Sequence, residues 1–292
     1  MSAVLCDSCG KVAPMSCGAC KCVSYCSSEC QKKTWKYHKH LCKAIVASTK
    51  NSSCESSGQS SCVLILDGMG ALGSEDYNTE PIYQELTLQH GMHVSIVHLD
   101  NNFVSPSQIA VALEKGNFST CIILGWGSGD NDVEKNYNTD NAFRTGLVAW
   151  VTRGGCLIVQ GERISHAGGD WPQWFGLDWK SSDYCRTTHV LNATHWFTKL
   201  KNHSLCPAMN VKACLVTNVT PHDRLYSAED GAVTSSLVPG FGGNPVSTGQ
   251  VAIALGRCGA GTVSFYGDVN IEKETITTIG MIAKYAVSAT VI

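Results

Sequence analysis

From residue 61 onward the chain alternates short, continuous apolar runs with longer segments whose apolar residues recur at three- and four-residue intervals. Residues 61–67 form such a run and close in Gly68-Met-Gly70, which predicts a strand buried on both faces. Residues 77–90 place Ile82, Leu86 and Leu88 at helical spacing, and residues 92–100 alternate as a second strand. Ser105-Pro106 starts a helix, because the absent proline N–H costs nothing in a first turn. Residues 121–125 predict a third strand. Residues 142–153 predict a helix stopped by Gly154-Gly155, and 156–160 a fourth strand. Beyond Gly161 the pattern loosens and grows richer in strand signals. A final strand at 261–266 then precedes a helix at 273–287. Strand–helix alternation of this kind implies an α/β domain over 62–292, with a mostly parallel sheet flanked by helices.

The first sixty residues follow another rule. Residues 43–61 hold seven serines and Gly58 with little that is apolar, so 45–61 reads as a flexible Ser-rich linker. The segment before it, 1–44, is too poor in apolar residues to fold on a core of its own. It is rich in cysteine instead. Cys6-x2-Cys9, Cys17-x2-Cys20, Cys26-x3-Cys30 and His38-x3-Cys42 are four pairs, each able to bite one ion, and together they make two tetrahedral sites. Thiolates with a single imidazole in a closed tetrahedron suit Zn2+, so two zinc ions are the expected cofactor. Spacing leaves open whether the pairs combine sequentially or interleave. Cys22 and His40 stand close enough to compete with Cys20 and His38.

Composition narrows the class. A hydrophobic fraction of 43% with 16% charge belongs to a globular chain. No run approaches the roughly 20 apolar residues that span a bilayer. The N-terminus lacks a basic region followed by an apolar one, so the expected compartment is reducing, cytoplasmic or nuclear, and the other eight cysteines are read as buried thiols. Residues 1–50 carry eight lysines against Asp7 and Glu29, hence +6, which leaves −8 for the rest of a chain of net charge −2. Seven thiolates around two Zn2+ lower the module to about +3. Nucleic acid is therefore a possible partner and not a favoured one, and Lys32, Lys33, Lys36, Lys39 and Lys43 read as a solvated helical face.

Tyr25-Cys26, Cys30-Gln31, Trp35 and His38-Lys39-x2-Cys42 resemble a MYND zinc finger over residues 6–42. The resemblance implies an interleaved arrangement: Cys6, Cys9, Cys26 and Cys30 on one ion, Cys17, Cys20, His38 and Cys42 on the other. It also implies a short hairpin followed by small helices, and no ligand role for Cys22 or His40. MYND fingers bind short proline-containing peptides, often of the PxLxP kind, and the positions lining that groove correspond here to Gln31 and Trp35. A flat indole face and a side-chain amide are the chemistry that an extended proline-rich ligand needs.

The large domain resembles the class I glutamine-amidotransferase-like fold through 153–162 and the strand closing at Asp268. Its Trp171-Pro-Gln-Trp-Phe-Gly176 stretch is nearer the trehalose-utilisation branch. That chemistry needs a cysteine on a strand-to-helix elbow, activated by a histidine that a carboxylate orients. The elbow carries Glu162 or Arg163, and the passage after the last strand lacks His-x-Glu. Asp67, Trp126, Glu162, Arg163 and Asp268 remain as residues that could line a pocket at the strand ends. Asn202-His-Ser-Leu-Cys-Pro207 resembles the Asn-His-Ser-Cys-x-Pro signature of SET methyltransferases but is displaced by one residue. The expectation is a zinc-binding interaction adaptor with a catalytically silent α/β domain and no catalytic residues. The rival is an enzyme, hydrolase or ligand-binding catalyst, targeted by the finger.

Overall fold

The computed structural model describes residues 4–51, 61–68, 79–99, 104–126, 137–161, 171–200, 205–236 and 242–286. The finger contains a minimal hairpin, β1 (Met15–Ser16) and β2 (Ser24–Tyr25), followed by α1 (Ser28–Asn51). The small helices implied by the family resemblance are one continuous 24-residue helix here. That helix takes in residues 45–51 of the expected linker. Ser48 Oγ donates to the Ile45 carbonyl at 2.8 Å and Thr49 Oγ1 to the same carbonyl at 3.1 Å, so these hydroxyls are absorbed by the helix itself. Residues 52–60 lie outside the described residues.

β3 (Cys62–Asp67), β4 (His93–His98), β5 (Phe118–Trp126), β6 (Cys156–Gly161) and β11 (Gly261–Tyr266) form a parallel sheet in the order β4-β3-β5-β6-β11. Residues of β3, β5, β6 and β11 are buried on both faces, whereas the edge strand β4 buries only Val97. Leu64 and Leu66 of β3 face a core shared with α1, α3 (Pro106–Lys115) and α4 (Asn141–Thr152). Val63 and Ile65 face a second core shared with α2 (Thr79–Gln84), the π-turn that extends it to Gln89, and α5 (Lys273–Tyr285). α3 and α4 approach closely because Gly146 presents no side chain: a Cβ there would sit 2.6 Å from Ala110 Cβ.

The expectation of a mostly parallel sheet flanked by helices fails between residues 180 and 258. β7 (Lys180–Leu191), β8 (Ala208–Thr217), β9 (Arg224–Ala228) and β10 (Val251–Cys258) are antiparallel. β10 pairs with β11 and with both β8 and β9, and β7 joins β8 to β9, so four strands close into a barrel fused to the parallel sheet. The physical reason is one-sided burial. In β8, Met209, Val211, Ala213 and Leu215 are buried, while the residues between them are exposed or half-buried, a period that suits antiparallel pairing rather than a two-sided sheet.

The finger is not held at a distance from this domain. Leu41, Ala44 and Ile45 of α1 are buried in the first core, and Cys20 and Cys22 pack against it. Asp7 accepts hydrogen bonds from Ser105 Oγ at 3.3 Å and from Gln108 Nε2, at the start of α3.

Candidate metal centre

Two turns of the same design present the first four cysteines. Gly10 N–H donates to the Cys6 carbonyl at 2.8 Å, and Lys21 N–H to the Cys17 carbonyl at 2.9 Å. Each turn ends in left-handed backbone, Gly10 at φ 71° and Lys21 at φ 57°. These turns aim both thiols of a Cys-x2-Cys pair to one side. Cys26 follows directly on β2, and the remaining three ligands come from α1. Cys30 lies in its first turn, where its N–H donates to Ser27 Oγ at 3.3 Å. His38 and Cys42 are four residues apart and so share a face about 12 Å further along the helix.

The side chains converge as Cys6, Cys9, Cys26 and Cys30 in one group and Cys17, Cys20, His38 and Cys42 in the other. Within each group the ligand atoms all lie within 4.8 Å of one another. Sulfur–sulfur separations are 3.4 Å for Cys9–Cys26, 3.5 Å for Cys26–Cys30, 3.8 Å for Cys9–Cys30 and 3.7 Å for Cys17–Cys42. A zinc tetrahedron with Zn–S of about 2.3 Å has edges of about 3.8 Å, and about 3.6 Å between sulfur and an imidazole nitrogen. Cys20 Sγ lies 3.3 Å from His38 Nε2. The donors fit two Zn2+ ions in the interleaved arrangement, which spacing alone had left open.

Electrostatics point the same way. The thiols cannot share negative charge among themselves without a cation. Cys26 is pushed up to about 12 by its hydrogen bonds with Cys9 and Cys30, and Cys42 to about 12 by burial. Cys20 is held down at about 3, mainly by the neighbouring Cys22 thiol. A dication in each cluster removes this conflict, and its binding must release protons. The zinc is structural: four protein donors close each site and leave no position for substrate.

Cys22 and His40 are outside both groups. The Cys22 thiol donates to the Cys20 carbonyl at 3.0 Å, and His40 is exposed. His38 is fully buried, wedged between the Tyr25 ring at 6.4 Å and the Trp35 ring at 6.0 Å, both edge-on. Trp35 itself remains 41% exposed. Gln31 lies one turn before it on the same side of α1 and is half-buried.

A family model for the MYND finger matches residues 6–42. Residues 6–42 form a MYND finger. SET domain and MYND-type zinc finger protein 6 of Schizosaccharomyces pombe is 51% identical over 41 residues, 14% of this chain and 8% of that protein. Human histone-lysine N-methyltransferase SMYD3 is 48% identical over 44 residues, 14% of this chain and 10% of that protein. Tudor domain-containing protein 1 of Oryzias latipes is 41% identical over 44 residues, 15% and 4%. The matched segment thus spans no more than 10% of any of these relatives. Among solved structures, a thua-like protein from Parabacteroides merdae is 11% identical with a TM-score of 0.48, over 79% of this chain and 91% of that one. A beta-galactosidase from Bacillus circulans sp. alkalophilus is 9% identical with a TM-score of 0.44, over 82% and 34%. Likenesses of this size assign no activity.

At the carboxyl ends of the parallel strands, Asp67 accepts from Thr79 Oγ1 and His98 Nδ1, each at 2.9 Å. Asp268 is buried and accepts from the Asn270 and Glu272 N–H groups and from Thr275 Oγ1, which ties β11 to the start of α5. Burial, reinforced by Glu272, pushes its carboxyl up to about 7. β5 ends at Trp126, which pairs with Gly161 of β6. Glu162, Arg163 and Asn202 lie outside the described residues. No helix among the described residues is long and apolar enough to cross a membrane.

The sequence reading missed the seam between finger and domain. The signal was present in Leu41, Ala44 and Ile45, which are apolar at helical spacing just where the Ser-rich composition begins.

Proposed function

We propose that the chain is a docking protein whose MYND finger captures a proline-containing peptide of another protein on Trp35 and Gln31. The observation that carries this reading is Trp35: a large indole left 41% exposed on a helix that zinc and the domain core hold rigid. A preformed aromatic face beside an amide suits an extended ligand that loses little entropy on binding. In this reading zinc does no chemistry. It fixes His38, and His38 supports the Trp35 ring from below. The α/β domain acts as a non-catalytic scaffold, and the protein works in the cytoplasm or nucleus, where its thiols stay reduced.

The test is a titration of a fluorescent PxLxP peptide into the zinc-loaded full chain and into Trp35→Ala. The account expects saturable binding by the first and loss of at least tenfold in the second at equal zinc content. Equal affinities would remove Trp35 as the docking face.

A further inference from the structure

Five of the six lysines of α1 lie on one side of the helix, with Lys33 about 60° outside them. At about 100° per residue, Lys32, Lys36, Lys39 and Lys43 fall within about 60° of one another. The opposite side of the helix carries the buried Leu41, Ala44, Ile45 and Ser48. Lys32, Lys36 and Lys43 are exposed and Lys39 is half-buried, and none forms an ion pair among the described residues. The helix has a single acidic residue, Glu29, in its first turn. Trp35 borders this stripe. Lys32 is three residues before it and Lys39 four after, the positions that meet on a helix surface.

Resting on the peptide reading above, we infer that the docked peptide carries an acidic flank, with aspartates or glutamates beside its proline core read by Lys32, Lys36, Lys39 and Lys43. The stripe runs about 16 Å along the helix, the reach of about five extended residues. Docking of the finger on α3 leaves this face free, and the rigid helix fixes the spacing of the charges. A nucleic acid fits less well. Duplex binders neutralise roughly 6–10 phosphates over a broad surface, whereas the lysines here are concentrated on one narrow stripe, with Lys33 beside it. The formal chain charge of −2 becomes more negative once seven thiolates bind two Zn2+, which repels a long polyanion.

The experiment is anisotropy of labelled PxLxP peptides flanked by glutamates, glutamines or lysines, with the zinc-loaded full chain at low and at physiological salt. The glutamate-flanked peptide is expected to bind about tenfold tighter than the glutamine-flanked one at low salt, with the gap narrowing as salt rises. In Lys36→Glu/Lys43→Glu, with unchanged zinc content, that ratio falls to one or below and the lysine-flanked peptide takes the lead. Equal affinity for all three flanks overturns the inference while leaving the peptide reading intact. Binding of an acidic peptide that lacks the proline core as tightly as the full one, or binding of none of them, overturns the peptide reading and this inference with it. A DNA duplex that binds more tightly than the acidic peptide, and is lost in the same double variant, assigns the stripe to nucleic acid and also overturns it.

Discussion

Leu41 lies inside the finger sequence by number, yet its side chain is fully buried in the core of the α/β domain. Leu41→Ala therefore separates zinc binding from domain stability. The substitution removes three carbons, about 2.4 kcal/mol at about 0.8 kcal/mol per buried methylene, and leaves a cavity, for a total cost of about 2–5 kcal/mol. With a urea dependence of about 2–3 kcal/mol per molar, the unfolding midpoint falls by about 1–2 M. Trp150, Trp171 and Trp179 are buried in the same core and report the transition by fluorescence. Zinc content stays at two per chain, because Leu41 supplies no ligand. Lys43→Ala, on the exposed side of the same helix, shifts the midpoint little, within about 0.5 kcal/mol. A Leu41→Ala midpoint within error of wild type would refute the reasoning: α1 would then belong to the finger alone.

Three further outcomes follow from the packing. His189 and His195 are buried, and burial lowers both from an ordinary 6.5 to about 4. The unfolded chain then binds more protons than the folded one between about pH 6.5 and 4. Each histidine costs about 3 kcal/mol of stability as pH falls through that window, while Asp268, raised to about 7, contributes in the opposite sense. His189→Leu should therefore make the stability change from pH 7 to pH 4 about 3 kcal/mol less destabilising than in wild type, read in pH-dependent melts. Cys22→Ser should leave two zinc ions per chain by metal analysis, because its thiol faces the Cys20 carbonyl rather than an ion. Gly146→Val should lower stability in urea by about 1–3 kcal/mol, since a Cβ already meets Ala110 at 2.6 Å.

The zinc ligands were legible because metal chemistry fixes both residue type and spacing, and Cys6 to Cys42 satisfy both. The parallel half was legible because strands such as β3 are apolar without interruption and α4 ends at a glycine pair. Interleaving was not, since it depends on where the hairpin turns and α1 point their side chains. Residues 45–51 misled for a definite reason: Ser48 and Thr49 look solvated by composition but bond to the carbonyls of their own helix. The barrel was hidden because its closure is tertiary. β9 is only five residues long, and β10 meets β8 through the single pair Val251 and Val216. Gln31 and Trp35 are proposed through a family resemblance, and the exposure of Trp35 supports that proposal.

Native mass spectrometry of the wild-type chain and of Cys9→Ser/Cys26→Ser tests the finger most directly. Two zinc ions are expected in the wild type and one in the double variant, because both substitutions fall in the same cluster and leave Cys17, Cys20, His38 and Cys42 intact. A wild-type chain with one zinc or none, or a double variant that loses both ions, would contradict the account.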